Sequence, residues 1–426
     1  MKSKIRILVF PCGSEIGLEV HRALAFSSHI KLFGASSLAD HGKFIFKNYI
    51  EDLPFFDDPE FISKLSEIVV ENQIDAIYPT MDSVISMLTV NSDKLGCKVI
   101  CSPQETAEIC LSKLKTYSIL ESVIRTPRVY KSVDEVDVYP VFMKPDVGYG
   151  SRGAKLVHTR EEVLHHLNEH PNSIILENLP GDEYTVDCFT DRNGNLRFIG
   201  SRNRNRISNG ISVNTTRVSS TQEFEDIGNL INRELTFRGA WFFQVKRNSL
   251  GKLTLLEVAS RLGGSSGIHR NLGVNFALLS IFDMFDQDVQ ILPNNFEIEM
   301  DRALENKFKI DVDFNKVYID LDDCLIIDSK VNTTLIKFIF QLQNQGKQSI
   351  LLTKHAGDLS ETLKKYRIHN LFDQIIHIQS TDEKSDFIDP KGAIFIDDSH
   401  VERRQMRKAH HIPVFAPDSL ESLIIS

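Results

Sequence analysis

Asp320 and Asp322 flank a single leucine directly after the apolar run Val317-Tyr318-Ile319. Two carboxylates at the end of a buried strand are costly to desolvate unless they meet a cation or take part in chemistry. A loop at that point lets Asp320 attack phosphorus and Asp322 handle the proton of the leaving group. A second apolar run, Ser349 to Leu352, ends in Thr353, a hydroxyl suited to a phosphate oxygen. Lys384 follows, placed to neutralise charge between nucleophile and phosphate, and a third run, Ala393 to Ile396, ends in Asp397-Asp398. These last carboxylates complete an oxygen cage for Mg²⁺. An Asp-rich metal site without turnover is the competing reading.

The middle of the chain carries a second set. Lys144 closes the apolar run Val141-Phe142-Met143, so its ammonium can project into a cleft, and a polyphosphate needs such point charges. Asp146 to Gly153 follows, with Gly148, Gly150 and Gly153 around Ser151. Glycines let backbone N–H groups approach phosphate oxygens, but the order is not that of a Walker loop. A solvated lysine beside a plain hairpin is the alternative. Glu177 ends another apolar run and Glu183 opens the next, where a hinge backbone can pair with an adenine and a carboxylate can accept from ribose hydroxyls. Gln244 and Glu257 lie on the two arms of a hairpin, with Arg261 just beyond. Glu257 suits Mg²⁺ with Gln244 as a neutral oxygen, and Arg261 lies close enough to meet a transferring phosphoryl group. Arg202, Arg204, Arg206 and Arg217 flank a polar loop; they bind a substrate carboxylate or edge a solvated hairpin. Gly263-Gly264-Ser265-Ser266 is a candidate acceptor loop.

These residues need strands to present them. The chain has 426 residues, 42% hydrophobic and 25% charged, which calls for several domains of ordinary globular composition. Apolar runs at Ile5 to Phe10, Lys31 to Ala35, Ala76 to Tyr78 and Lys98 to Cys101 alternate with helical patterns and imply an open parallel sheet over residues 1–108. The Gly13/Gly17 turn after the first run is either a ligand loop or a tight strand-to-helix turn. Residues 109–300 mix helices with antiparallel strands. Pro293 to Asp313 is polar and reads as a connector, with 301–312 the linker proper, and 313–426 alternates strand and helix again. The class is therefore α/β and α+β, multidomain. A net charge of −9 argues against a nucleic-acid partner. Six cysteines without paired spacing point to reduced thiols, and no stretch approaches the ~20 apolar residues of a membrane span. A cytoplasmic location is expected.

The ordered set Ser112-Lys113, Lys144, the glycine loop, Glu177 to Glu183, Gln244 and Glu257 to Arg261 resembles the ATP-grasp superfamily, closest to its carbamoyl-phosphate-synthase-like and amino-acid-ligase branches. Phe10 to Glu15 and Ile77 to Asp82 resemble the Rossmann-like pre-ATP-grasp domain of that group. The resemblance implies that Lys113 and Lys144 contact ATP phosphates under the Gly148–Gly153 loop. It places Glu177 at the adenine, Glu183 at the ribose, Gln244 and Glu257 on Mg²⁺, and Arg261 at an acyl phosphate. Where many members carry Glu-x-Asn, this chain has Glu257-Val258-Ala259, which removes one usual metal ligand. Residues 313–426 resemble the haloacid-dehalogenase-like (HAD) phosphatases, with a Rossmann-like fold and a minimal cap. This resemblance implies Asp320 as nucleophile, Asp322 as acid/base, Thr353 and Lys384 as phosphate anchors and Asp397 as the main metal ligand. Asp398 assists, and Asp320 and Asp322 share the metal. Together they imply an ATP- and Mg²⁺-dependent ligase, with Mn²⁺ as a substitute, joining a carboxylate to an amine. The same chain would carry a phosphatase for a phosphorylated substrate, and a homodimer is an open expectation. The alternative is a phosphatase with a regulatory, nucleotide-binding ATP-grasp region.

Overall fold

Ile5–Phe10 forms β1 at the centre of a sheet because every residue from Ile7 to Phe10 is buried on both faces. The sheet is parallel throughout, with order β3-β2-β1-β4-β5 over Ile30–Ala35 (β2), Tyr49–Ile50 (β3), Ala76–Pro79 (β4) and Lys98–Val99 (β5). Ser14 caps the helix Glu15–Leu24 by accepting from the Gly17 amide at 3.0 Å. A Cβ on Gly17 would lie 2.4 Å from the Cys12 carbonyl oxygen, so glycine is required for the helix to start this close to β1. The glycine at position 17 therefore serves packing.

The computed structural model describes residues 4–148, 152–208, 210–219 and 221–425 and divides into two compact units, Met1–Leu304 and Glu305–Ser426. The first unit continues past its parallel sheet with three antiparallel ones. One has order β6-β9-β7-β8, over Val129–Tyr130 (β6), Val141–Pro145 (β7), Lys155–Val157 (β8) and Ser173–Glu177 (β9). A second has order β11-β10-β14-β15, over Glu183–Thr190 (β10), Leu196–Asn203 (β11), Gly239–Arg247 (β14) and Leu253–Ala259 (β15). The third pairs Arg206–Ser208 (β12), Ile211–Thr216 (β13) and Glu299–Asp301 (β16).

One apolar cluster spans position 108. Ile7, Val9 and Tyr78 of the parallel sheet share one apolar cluster with Phe189, Ala240, Phe276 and Ile281. The polar connector expected from Pro293 to Asp313 is also partly built structure. Glu299–Asp301 is an edge strand, the Arg302 amide donates to the Val213 carbonyl at 2.7 Å, and the Arg302 guanidinium meets Glu15 at 2.7 Å. Its charges reflect an exposed sheet edge, which polar composition alone does not distinguish from a linker.

The second unit is a parallel sheet of order β21-β20-β17-β22-β23. Its strands are Lys316–Ile319 (β17), Gln348–Thr353 (β20), Gln374–His377 (β21), Ala393–Ile396 (β22) and Val414–Phe415 (β23). Only a small hairpin, Ile326–Ile327 (β18) with Lys330–Val331 (β19), and the helix Thr333–Asn344 separate β17 from β20. Among the described residues, no helix is long and apolar enough to cross a membrane.

Trp241, the sole tryptophan, is buried, stacks on Phe237 at 4.0 Å and donates from Nε1 to Thr190 Oγ1 at 2.8 Å. Phe243, beside it on β14, is fully buried. Phe243→Ala is expected to cost about 3–5 kcal/mol. Urea denaturation followed by Trp241 fluorescence checks this, and an unchanged midpoint would contradict the packing.

Candidate functional site

The hairpin of β14 and β15 sets Gln244 directly opposite Glu257, with a register shift just after Gln244. Lys144, at the end of β7, is 9% exposed, and its Nζ donates to the Leu256 carbonyl at 2.9 Å, one residue from Glu257. The Tyr117 hydroxyl donates to the same carbonyl at 2.6 Å. Ser112 caps the helix Lys113–Leu120 and hydrogen-bonds Asp146 at 2.8 Å, while Lys113 Nζ donates to the Asp146 carbonyl at 2.9 Å. Burial pulls Lys144 down to about 8, with the Lys113 charge adding to the fall and Glu257 opposing it.

A cavity gathers Lys113, Lys144, Gly148, Glu177, Glu183, Gln244 and Glu257 between the apolar walls of Phe142, Leu176, Leu179 and Leu256. Glu183 is held by Arg204, whose Nε lies 2.7 Å from Oε1 as an ion pair without hydrogen-bond alignment, and by Lys246 at 3.9 Å. Gly148 lines the cavity and Gly153 adopts φ +71°, a conformation that favours glycine. Gly150 and Ser151 lie outside the described residues.

A second cavity shares Gly148, Arg204, Gly210, Gln244 and Glu257 with the first. One wall comes from the turns after β1 and β4, with Ser14, Glu15, Thr80 and Asp82. The other holds Arg202, Arg261 and Gly263 to Ser265. Arg261 Nε donates to Asp82 at 2.8 Å. Arg202 is 2% exposed; its Nε donates to Asp187 at 2.7 Å, and its Nη1 has no hydrogen-bond partner among the described residues. His269 Nε2 approaches Asp187 at 3.2 Å. Burial works against ionising Asp187, but Arg202 and His269 outweigh it and hold the carboxyl at about 2.

The four arginines flanking the polar loop therefore separate. Arg202 and Arg204 line the cavities, whereas Arg206 pairs with Asp301 at 2.7 Å and Arg217 meets Asn295 at 2.9 Å. Asp187 and His269 did not emerge from the sequence. Asp187 reads there as one more position in an alternating strand, and His269 sits on a five-residue helix.

In the second unit, Asp320 follows β17, Thr353 ends β20 and Asp397 follows β22, all at the same edge of the sheet. Lys384 Nζ lies between two carboxylates, 2.6 Å from Asp320 Oδ1 and 2.7 Å from Asp397 Oδ2. Burial pushes Asp320 up to about 7; Lys384 opposes this and the Asp397 charge reinforces it. Burial also raises Asp397. For Lys384 burial pulls the other way, but the two carboxylates outweigh it and the ammonium is stabilised. Asp320, Asp397 and Asp398 each offer an oxygen within 4.8 Å of the others, a donor set suited to a hard divalent cation. The Asp322 carboxylate is not in that group; it pairs with His355 at 3.0 Å. His355, two residues beyond Thr353, is a further residue the sequence reading passed over.

Residues 169–306 match the family model described as ATP-grasp in the biosynthetic pathway with Ter operon. A D-alanine–D-alanine ligase of Fusobacterium nucleatum is 35% identical over 95 residues, which is 22% of this chain and 33% of that protein. A 3-methyl-D-ornithine–L-lysine ligase of Methanosarcina mazei is 23% identical over 260 residues, 59% of this chain and 66% of that protein. The chain thus spans from a third to just under two thirds of these relatives' lengths. The biotin carboxylase domain of Hydrogenobacter thermophilus 2-oxoglutarate carboxylase superposes with a TM-score of 0.59 at 16% identity, covering 70% of this chain and 74% of that one. The multidomain α/β architecture of the first unit includes an ATP-grasp fold.

Arg202→Met removes the closer partner of a buried carboxylate and is expected to cost about 3–5 kcal/mol. Thermal denaturation checks this; a melting temperature equal to that of the unaltered protein would refute the pairing.

Proposed function

We propose that residues 1–304 form an ATP- and Mg²⁺-dependent ligase that activates a small carboxylate as an acyl phosphate for attack by an amine. The observation that carries the reading is that Lys113, Lys144, Glu177, Glu183 and Glu257 line one cavity, and that this cavity is continuous with an arginine-lined one. The matched ligases of F. nucleatum and M. mazei, named for joining amino acids, support the same class. Within this reading, residues 1–108 act as the pre-ATP-grasp domain and 109–300 as the ATP-grasp domain.

The first cavity takes the nucleotide, with its base between Phe142, Leu176 and Leu256 and its phosphates against the two lysines. Gln244 and Glu257 are the residues that would hold Mg²⁺, which would neutralise phosphate charge when bound. The second cavity takes the acid. Arg202 is held by Asp187, which His269 also approaches, and offers Nη1 to the carboxylate. One carboxylate oxygen attacks the γ-phosphorus and ADP leaves; the amine then attacks the acyl carbon and inorganic phosphate leaves. The chain's contribution is alignment and fixed positive charge, which is most of what phosphoryl transfer requires.

For residues 313–426 the reading is a HAD-like phosphatase. Asp320 attacks the phosphorus of a phosphorylated substrate, Asp322 protonates the leaving oxygen, and water then releases phosphate from Asp320 with Asp322 as base. Thr353 and Lys384 anchor the phosphate, and Asp320, Asp397 and Asp398 are the oxygens for Mg²⁺. The carriage of both activities on one chain supports consecutive reactions, the phosphatase acting on the ligated product or its precursor.

ADP formation screened over carboxylate and amine pairs tests the ligase; Glu257→Gln is expected to lower its kcat by about 10²-fold or more. A screen without substrate-stimulated ADP and without nucleotide binding would overturn the reading. Since the Lys144 ammonium is charged below about 8 and lost above it, nucleotide affinity is expected to fall as pH rises through that value. Lys144→Arg, which stays charged, should flatten that limb of the KM–pH profile. For the phosphatase, p-nitrophenyl phosphate turnover should disappear in Asp320→Asn, and persistence would remove the nucleophile assignment.

A further inference from the structure

Asp322 is an exposed acid of the second site, with a side chain 52% accessible, and an acid/base in that position needs something to hold it. Among the described residues its carboxylate has one hydrogen-bonding partner, His355, whose Nδ1 lies 3.0 Å from both oxygens. The imidazole is itself fixed on every polar side. Nε2 lies 2.9 Å from Thr362 Oγ1, the His355 amide donates to Thr353 Oγ1 at 3.2 Å, and the His355 carbonyl accepts from His377 Nε2 at 2.8 Å. Gly357 lies against the ring; a Cβ there would be 3.1 Å from Nε2.

We propose that His355 is the positioning residue for Asp322, aiming its carboxyl at the leaving-group oxygen and linking it to the phosphate anchor Thr353. The inference rests on the phosphatase reading above. An ionised Asp322 only accepts, so Nδ1 carries the proton and donates, and the Thr362 hydroxyl donates to Nε2. A protonated Asp322 still has an oxygen that accepts from Nδ1–H, which leaves its single O–H free to face the leaving-group oxygen. The same contact therefore holds the group before and after it gives up its proton. In the step itself, a bond forms from Asp320 Oδ to phosphorus, the phosphorus–oxygen bond of the ester breaks, and the departing oxygen takes the Asp322 proton. Water then supplies the oxygen that releases phosphate and returns a proton to Asp322. The imidazole neither gains nor loses a net proton over the cycle.

A held acid matters in proportion to how badly the leaving group needs a proton. Phenyl phosphate needs one, and p-nitrophenyl phosphate, which departs as a stable phenolate, needs it far less. The full chain is therefore assayed with both, reading leaving-group release in the first turnover. His355→Ala is expected to widen the ratio of the two rates by about tenfold at little change in KM, the scale of a weakened general acid. His355→Asn, whose side-chain amide can donate from nearly the position of Nδ1, should restore the ratio. An equal loss on both substrates, or a ratio left unchanged by His355→Ala, would overturn the positioning role. Asp320→Asn run alongside separates the two ideas: if it retains turnover, the nucleophile assignment fails, whatever His355 does.

Discussion

A lysine ammonium withdrawn from water must be met by oxygen, and most of what is distinctive in this protein follows from how that demand is satisfied. In the first unit Lys144 is 9% and Lys113 8% exposed, yet among the described residues neither is paired with a carboxylate in a close ion pair. Each donates to a backbone carbonyl, of Leu256 and Asp146 respectively. A carbonyl offers partial charge where an ammonium calls for full charge, so both cations retain attraction for an anion entering the cavity. The depressed Lys144 pKa is the electrostatic signature of that unmet demand.

The second unit solves the problem the other way. Lys384 lies between Asp320 and Asp397 at 2.6 and 2.7 Å, so ammonium and carboxylates satisfy one another inside a nearly dry pocket. A cation or a phosphate arriving there has to rearrange a pre-existing balance of charge. In the second unit the parallel sheet makes this arrangement possible, because its buried strands can stop in unison and leave the first polar residue of each at one edge. Asp320 and Asp397 follow neighbouring strands in register, Ile319 opposite Ile396.

Between these extremes lies the Arg202–Asp187–His269 group beneath the second cavity. It is buried as completely as the core yet incompletely satisfied, with Asp187 Oδ1 and Arg202 Nη1 both lacking hydrogen-bond partners among the described residues. Buried polar groups are usually paired, and unpaired ones concentrate where a ligand completes them. Arg202 lines the cavity at that point, under the backbone of Gly263, where a Cβ would come within 2.7 Å of Asp187 Oδ1.

Much of this was legible in the residues themselves. Apolar runs that stop at Lys144, Glu177, Asp320, Thr353 and Asp397 mark strand ends, because burial and polarity change over one or two positions and both are local properties of the chain. The tight turn at Gly17 and the hairpin bearing Gln244 and Glu257 are local in the same sense. Tertiary structure alone decided which charges meet. Arg261 finds Asp82 across 179 positions and Arg270 finds Glu19 across 251, separations at which no periodicity carries information. It likewise drew Arg202 and Arg204 to the cavities while leaving Arg206 to an edge strand, and it joined residues on either side of position 108 in a common core. Residue types determine what each side chain can do; the fold determines its neighbours, because a contact depends on distance in space and the sequence records only distance along the chain.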